Sequence, residues 1–499
     1  MNFLKNSSAL SDFACLKILI IMLMTFLLFM AACTSQDDDD QSGNNIDDDS
    51  GDDDSGDDDS GDNGPPPSYK IISGTCELLW WANGKAAGAT LGRLVAGISD
   101  VDSDGIPDVL AVSSDPPTQN TIIQLRKGNN GNLIKEISTS VTVWTLAVVE
   151  DLDGDGIPEI AVGGAIYSSG TLKDDDDVVS DDDAEYHVQV LSTGSADIIW
   201  DRKAPDNEIE FGSSVAAGVD YNEDGKPDLI VGSPFPSATE LIPGYVHILN
   251  ILNGETLIRL NPPANAAESF GAPVAQASDI NDDGKYDVFA GDPRGPSNYY
   301  GAGTVSALAV PDSTVLWTVQ GDVVGDEPDI LGDQIATAGD INGDGVVDLL
   351  VSAHNHPTQD CGEGTGKVLL LNGKDGSQLW SVEGRRCNEN LGIGLASAGD
   401  VNGDLAPDVV AGAPSPPFPW IVLGLGGRFT ILNGVDGSVI FDVESIVGEN
   451  DQSDFFGSSV ASIEDVTGDG KSEVIVGAPN TKPNGLQNAG TISVWTCPD

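Results

Sequence analysis

The sequence predicts an all-β fold: a seven-bladed β-propeller of four-stranded blades, its ring closed by an N-terminal strand that completes the last blade. Three observations predict it. An aspartate-rich string recurs seven times, apolar segments flank each copy at nearly fixed offsets, and no stretch after the N-terminal apolar run carries long helical periodicity. The string reads Asp, any residue, Asp/Asn/Thr, any residue, Asp, usually Gly, two residues, then Asp/Glu. It starts at Asp100, Asp151, Asp220, Asp279, Asp340, Asp400 and Asp465, at intervals of 51 to 69 residues. Such an interval accommodates four short strands with their turns, the unit of a propeller blade.

Ahead of the repeats, Lys5 and Lys17 precede an apolar run, Ile18 to Met30, broken only by Thr25. The run is short for a membrane-spanning helix and fits the core of a signal peptide over residues 1–32. Met30-Ala31-Ala32-Cys33 resembles a bacterial lipobox, which makes Cys33 the expected lipid-bearing N-terminus of an exported, membrane-anchored protein. Thr34 after it points to outer-membrane or cell-surface sorting. Residues 33–69 hold Asp-Ser-Gly runs such as Asp52-Asp53-Asp54-Ser55-Gly56 and end near Pro65-Pro66-Pro67. With almost nothing apolar to bury, they read as a solvated tether, or alternatively as a low-affinity calcium sponge. The propeller is assigned to residues 70–499. The chain carries 80 acidic residues against 22 basic ones, for a net charge of -58. Phosphate backbones would repel it, so nucleic acid is not an expected partner.

The blades repeat beyond their acids. Nine residues before the first aspartate stands an apolar residue followed by Gly: Leu91-Gly92, Phe211-Gly212, Phe270-Gly271, Leu331-Gly332, Leu391-Gly392 and Phe456-Gly457, with Thr142-Val143 departing in the second copy. After the last acid comes an apolar run ending in small residues or Pro, such as Val409-Val410-Ala411-Gly412-Ala413-Pro414. These runs read as buried strands. Gly366 to Leu371 and Gln378-Leu379-Trp380 read as third and fourth strands. Apolar-Gly, Asp-Val-Asn-Gly-Asp and Val-Gly-Ala-Pro at these offsets resemble the FG-GAP repeats of integrin α-subunit propellers. The resemblance covers nearly all of residues 70–499 and implies a seven-bladed ring with calcium loops between the first two strands of blades.

A ring needs its last blade finished by the other terminus, because an open blade leaves an unpaired edge. Glu77-Leu78-Leu79-Trp80 resembles the fourth strands Ile198-Ile199-Trp200 and Gln378-Leu379-Trp380, whereas the final repeat stops after Thr491-Ile492-Ser493-Val494-Trp495. The two segments are expected to pair. Cys76 and Cys497 then meet at the seam and form a disulfide, and Cys361 with Cys387 staples a loop in the fifth blade, as suits an oxidising compartment.

Calcium takes six to eight oxygens, and carboxylates at alternate loop positions supply them compactly. Positions one, three, five and nine are the expected ligands. They are Asp100, Asp102, Asp104 and Asp108; Asp151, Asp153, Asp155 and Glu159; Asp220, Asn222, Asp224 and Asp228; Asp279, Asn281, Asp283 and Asp287; Asp340, Asn342, Asp344 and Asp348; Asp400, Asn402, Asp404 and Asp408; and Asp465, Thr467, Asp469 and Glu473. Leu405 replaces the usual glycine in the sixth loop, and Thr467 a stronger donor in the seventh, so these two are the expected weak sites. An EF-hand would need flanking helices and a Glu at position twelve.

The four histidines accompany no nucleophile motif. His354-Asn355-His356 reads as an exposed loop, with transition-metal ligation as the alternative, and the acidic insert containing Asp174 to Asp177 and Asp181 to Asp183 as a solvated loop. The sequence therefore points to a non-enzymatic, monomeric binding module carrying structural calcium ions, whose partner is an extracellular protein or glycan. The enzymatic alternatives are a polysaccharide lyase and a quinoprotein-like dehydrogenase, the latter because Leu371 to Gly376 and Leu432 to Gly437 are similar to quinoprotein propeller turns. It would need stacking tryptophans and a cationic clamp.

Overall fold

The computed structural model describes residues 67–118, 120–167, 184–205, 208–235, 242–295, 301–324, 327–358, 361, 364–414, 425–447 and 453–498; the expected signal segment, Cys33, the expected tether up to residue 66 and the acidic insert lie outside the described residues. Among the described residues, seven antiparallel blade sheets follow one another along the chain, with a two-stranded ribbon of Val323–Val324 and Glu327–Pro328 ahead of the fifth. Blade one comprises Val95–Ile98, Asp108–Ser114, Thr121–Lys127 and Leu133–Thr139, and blade two Thr142–Val149, Glu159–Tyr167, Ala184–Leu191 and Ile198–Lys203. Blades three to five repeat that order, ending in Thr256–Leu260, Val315–Gln320 and Gln378–Glu383. Second strands are buried throughout, as the apolar runs require; Val109, Ile160, Ile230, Phe289, Leu350, Val410 and Ile475 are all fully buried.

The seam closes as the sequence predicts. Glu77–Asn83 pairs antiparallel with Thr491–Thr496, setting Leu78 opposite Trp495 and Trp80 opposite Val494, and so becomes the fourth strand of blade seven. Cys76 and Cys497 are bonded across it, 421 residues apart, and Cys361 is bonded to Cys387. The latter bond joins the loop between strands two and three of blade five to the connection leading into blade six. One detail departs from uniform four-stranded blades. Tyr69–Ser73 pairs with Val439–Ile446 as a fifth strand of blade six. The incoming chain thereby covers a sheet edge that would otherwise present unpaired amides, and Tyr69 packs on Phe456 and Trp495 at 4.9 and 5.0 Å between ring centroids.

Blade-to-blade packing explains the motif residues. Leu91, Phe211, Phe270, Leu331, Leu391 and Phe456 are buried between sheets. The glycine after each has a positive φ, and in most copies it abuts the strand-two glycine of the preceding blade. A Cβ on Gly163 would stand 1.9 Å from the Gly212 carbonyl, and one on Gly412 1.8 Å from that of Gly457. Only glycine permits that approach. At the opposite ends of the blades, tryptophans act as latches. Trp80, Trp200, Trp317 and Trp380, each on a fourth strand, donate their indole N–H to Gly128, Ile251, Gly373 and Gly434 carbonyls in the next blade at 2.6–2.8 Å.

Candidate metal loops

Each aspartate string links strands one and two of its blade and folds by one hydrogen-bond scheme. The position-one carboxylate accepts the amide of position six at 2.7–2.9 Å in all seven loops, from Gly105, Gly156, Gly225, Gly284, Gly345, Leu405 and Gly470. The position-nine carboxylate accepts the amide of position two at 2.7–3.1 Å, again in all seven. Position nine is buried at the base of strand two, whereas position five is exposed in every loop and position three is exposed or half-buried. Leu405 keeps the scheme with φ of 72° and lies 91% exposed. Its loop retains the glycine geometry, with the left-handed strain carried by a side chain that packs on nothing.

The loops are electrostatically divided. Burial pushes the position-nine carboxyls up, to about 6 for Asp108, Asp228 and Asp287 and to about 7 for Glu159 and Asp408; Asp348 and Glu473 shift the same way. The other carboxylates of the same loop add to that shift. At Asp100 and Asp465, burial also acts to raise the carboxyl, but the converging loop amides outweigh it and hold the group below its ordinary value.

Three loops bring at least three carboxylate oxygens within 4.8 Å of one another: Asp151, Asp153, Asp155 and Glu159; Asp100, Asp102 and Asp108; and Asp465, Asp469 and Glu473. In loop two, Glu159 is fully buried, yet its Oε1 has no hydrogen-bond partner. A buried carboxylate oxygen left unpaired beside three more carboxylates is costly unless a cation completes the set, so these residues fit a hard divalent ion. In loops three, five and six the position-three asparagine bonds the position-nine carboxylate through its amide at 3.5, 2.8 and 3.0 Å. In loop four, Asn281 accepts the Asp283 amide at 2.9 Å. Thr467 donates its hydroxyl to Glu473 at 3.0 Å, so the seventh loop stays assembled despite the substitution. When bound, calcium would neutralise these carboxylates and draw positions three and five toward the buried position nine.

Sequence reasoning missed a further set of loop partners, because they come from the turn between strands three and four. Asn250, Asn372 and Asn433 donate to Asp224, Asp344 and Asp404 at 2.9–3.0 Å, Ser192 donates to Asp153 at 2.8 Å, and Lys127 reaches Asp102 and Asp104. Their signal was the Asn-Gly-x-x-Gly turn that the sequence shows twice.

The other end of the blades is built differently. There, connections from one blade to the next carry acids paired with bases of the blade they lead into: Glu208 with His247 at 2.9 Å, Glu268 with Arg294 at 3.6 Å, Asp329 with His356 at 2.7 Å and Glu389 with Arg428 at 2.7 Å. Arg428 also meets Asp442 at 3.2 Å, and Arg385 and Arg386 pair with Asp442 and Glu444. His354 faces Asp333 at 3.1 Å, so the two imidazoles of His354-Asn355-His356 engage different carboxylates.

The FG-GAP repeat family matches residues 211–249, 331–371 and 456–495, and the FG-GAP-like repeat matches residues 100–162. Integrin alpha-PS2 of Drosophila melanogaster is 32% identical over 145 residues, covering 27% of this chain and 10% of that protein. Integrin alpha-PS3 of the same organism is 29% identical over 153 residues, covering 29% of this chain and 13% of that protein. The chain thus carries FG-GAP repeats on an integrin-alpha-like β-propeller. It spans only about a tenth of the length of these relatives.

Proposed function

We propose that this protein is a non-enzymatic, calcium-stabilised propeller displayed outside the cell, where it binds an extracellular protein or glycan in the manner of an adhesion module. The observation that carries the calcium reading is the unpaired, buried Glu159 Oε1 within a cluster of four acids. The shared hydrogen-bond scheme extends the reading to the other loops, with side-chain ligands at positions one, three, five and nine. The FG-GAP likeness supports the extracellular binding role. All four histidines lie against carboxylates, which supports structural rather than catalytic work for them. The lipobox-like Met30-Ala31-Ala32-Cys33 supports a lipid anchor, with the residues between Cys33 and Tyr69 as tether and the chain from Tyr69 on as a monomeric propeller.

Calorimetric titration of the full-length chain with calcium, followed by binding screens against extracellular matrix proteins and polysaccharides with and without the ion, tests both halves. Several ions per chain and a calcium-dependent ligand are expected. Absence of calcium binding overturns the metal reading, and calcium-dependent cleavage of a polysaccharide overturns the non-enzymatic one.

A further inference from the structure

The first aspartate loop differs from the others in what neutralises it. In the six blades whose third and fourth strands are consecutive, the residue at the end of strand three or directly after it closes one shared turn by donating its amide to a carbonyl five residues on. The pairs are Lys127 to Asn132, Ser192 to Asp197, Asn250 to Glu255, Ala309 to Thr314, Asn372 to Ser377 and Asn433 to Ser438. This register sets one side chain against the loop of its own blade. Where that residue is Asn or Ser it offers a neutral N–H or O–H to one carboxylate, and Ala309 has no polar side chain to offer. In those five blades this turn brings no cation to the loop carboxylates.

In blade one the ammonium of Lys127 lies 2.5 Å from Asp102 Oδ2 and 3.0 Å from Asp104 Oδ2. Two further observations separate this loop from its neighbour. Asp104 does not join the tight carboxylate cluster that Asp155 joins at the same position in loop two. Asp108 Oδ1 accepts the Gly128 amide at 3.2 Å, whereas the corresponding Glu159 Oε1 is unpaired. A divalent ion needs six to eight oxygens drawn in close. To recruit Asp102 and Asp104 it must displace the ammonium or sit beside a like charge.

We infer that Lys127 is a built-in counter-ion of the first loop, so that this loop holds its shape without calcium and binds the ion more weakly than its neighbours. The inference rests on the calcium reading of the loops. It makes the first loop, rather than the sixth or seventh, the exceptional member of the ring.

Native mass spectrometry and calorimetry of the full-length chain, with calcium as the only added ligand, compare the unaltered protein with Lys127→Asn and Lys127→Gln. Asparagine is the residue that blades three, five and six carry at this turn. Each variant is expected to bind one ion more than the parent or to tighten its weakest site at least tenfold. In chelator the variants should melt below the parent, and calcium should close that gap, which loss of a merely structural lysine would not produce. Equal, non-zero counts and affinities in all three proteins overturn the role of Lys127. No calcium bound by any of them overturns the metal reading itself, and the inference falls with it.

Discussion

The two ends of the blades solve one problem, an excess of carboxylates, in opposite ways. Where blade leads to blade, Glu208, Glu268, Asp329 and Glu389 each meet a base from the next sheet, and the Arg428, Glu389 and Asp442 group is almost wholly buried. Where strand one turns into strand two, acids are gathered with one another, and blade one has its own lysine. The first arrangement is complete within the polypeptide. The second leaves carboxylates facing carboxylates, so a chain with 80 acidic and 22 basic residues gathers the acids that could take a cation at one end of the ring. The difference teaches that one propeller can pair its acids internally at one end while its other end leaves them open to a cation.

Removing calcium should produce the largest effect and should separate the two ends most cleanly. A site loaded at a hundred times its dissociation constant contributes about 2.7 kcal/mol, so chelation should lower the melting temperature steeply, as scanning calorimetry would read. The pH response should then invert. Without metal, Asp108, Asp228, Asp287, Glu159 and Asp408 are pushed up to about 6 to 7 when folded, above their ordinary unfolded range near 4. The folded state then binds more protons, and its stability falls as pH rises from about 4 to about 7. With calcium, which requires the ionised form, stability should rise over the same window; an unchanged slope would break the comparison.

At the other end, Arg428→Ala strands Glu389 as a buried charge and leaves Asp442 with Arg385 as its one guanidinium partner, and should cost about 3–5 kcal/mol in denaturant unfolding, equally with and without calcium. A calcium-dependent loss would show that the two ends are coupled. A smaller effect isolates one loop: Glu159→Gln should remove one bound ion from the calorimetric count while raising metal-free stability at neutral pH, since it discharges the crowded cluster. Smallest of all, Leu405→Gly should stabilise by about 1 kcal/mol, because it relieves a left-handed φ on a side chain that packs on nothing. No change would mean that the sixth loop is already relaxed.

The sequence made the loops legible because their ligands lie within nine residues of one another, and the blades legible because glycines forced into backbone contact cannot vary. It also revealed the closing strand through its likeness to other fourth strands. What it hid lies farther along the chain. Lys127, Ser192, Asn250, Asn372 and Asn433 act on carboxylates 23 to 39 residues away, and only the strand pairing shows that they share a position. The fifth strand at Tyr69–Ser73 was hidden for another reason. Nothing in Tyr69-Lys70-Ile71-Ile72 tells which exposed edge it will cover.

The seam carries a consequence for assembly. A last blade finished by Glu77–Asn83 of its own chain presents the same edge to Glu77–Asn83 of a second copy, so an unfinished ring is also a socket for its neighbours. The covalent bond between Cys76 and Cys497 makes that choice permanent once it is taken.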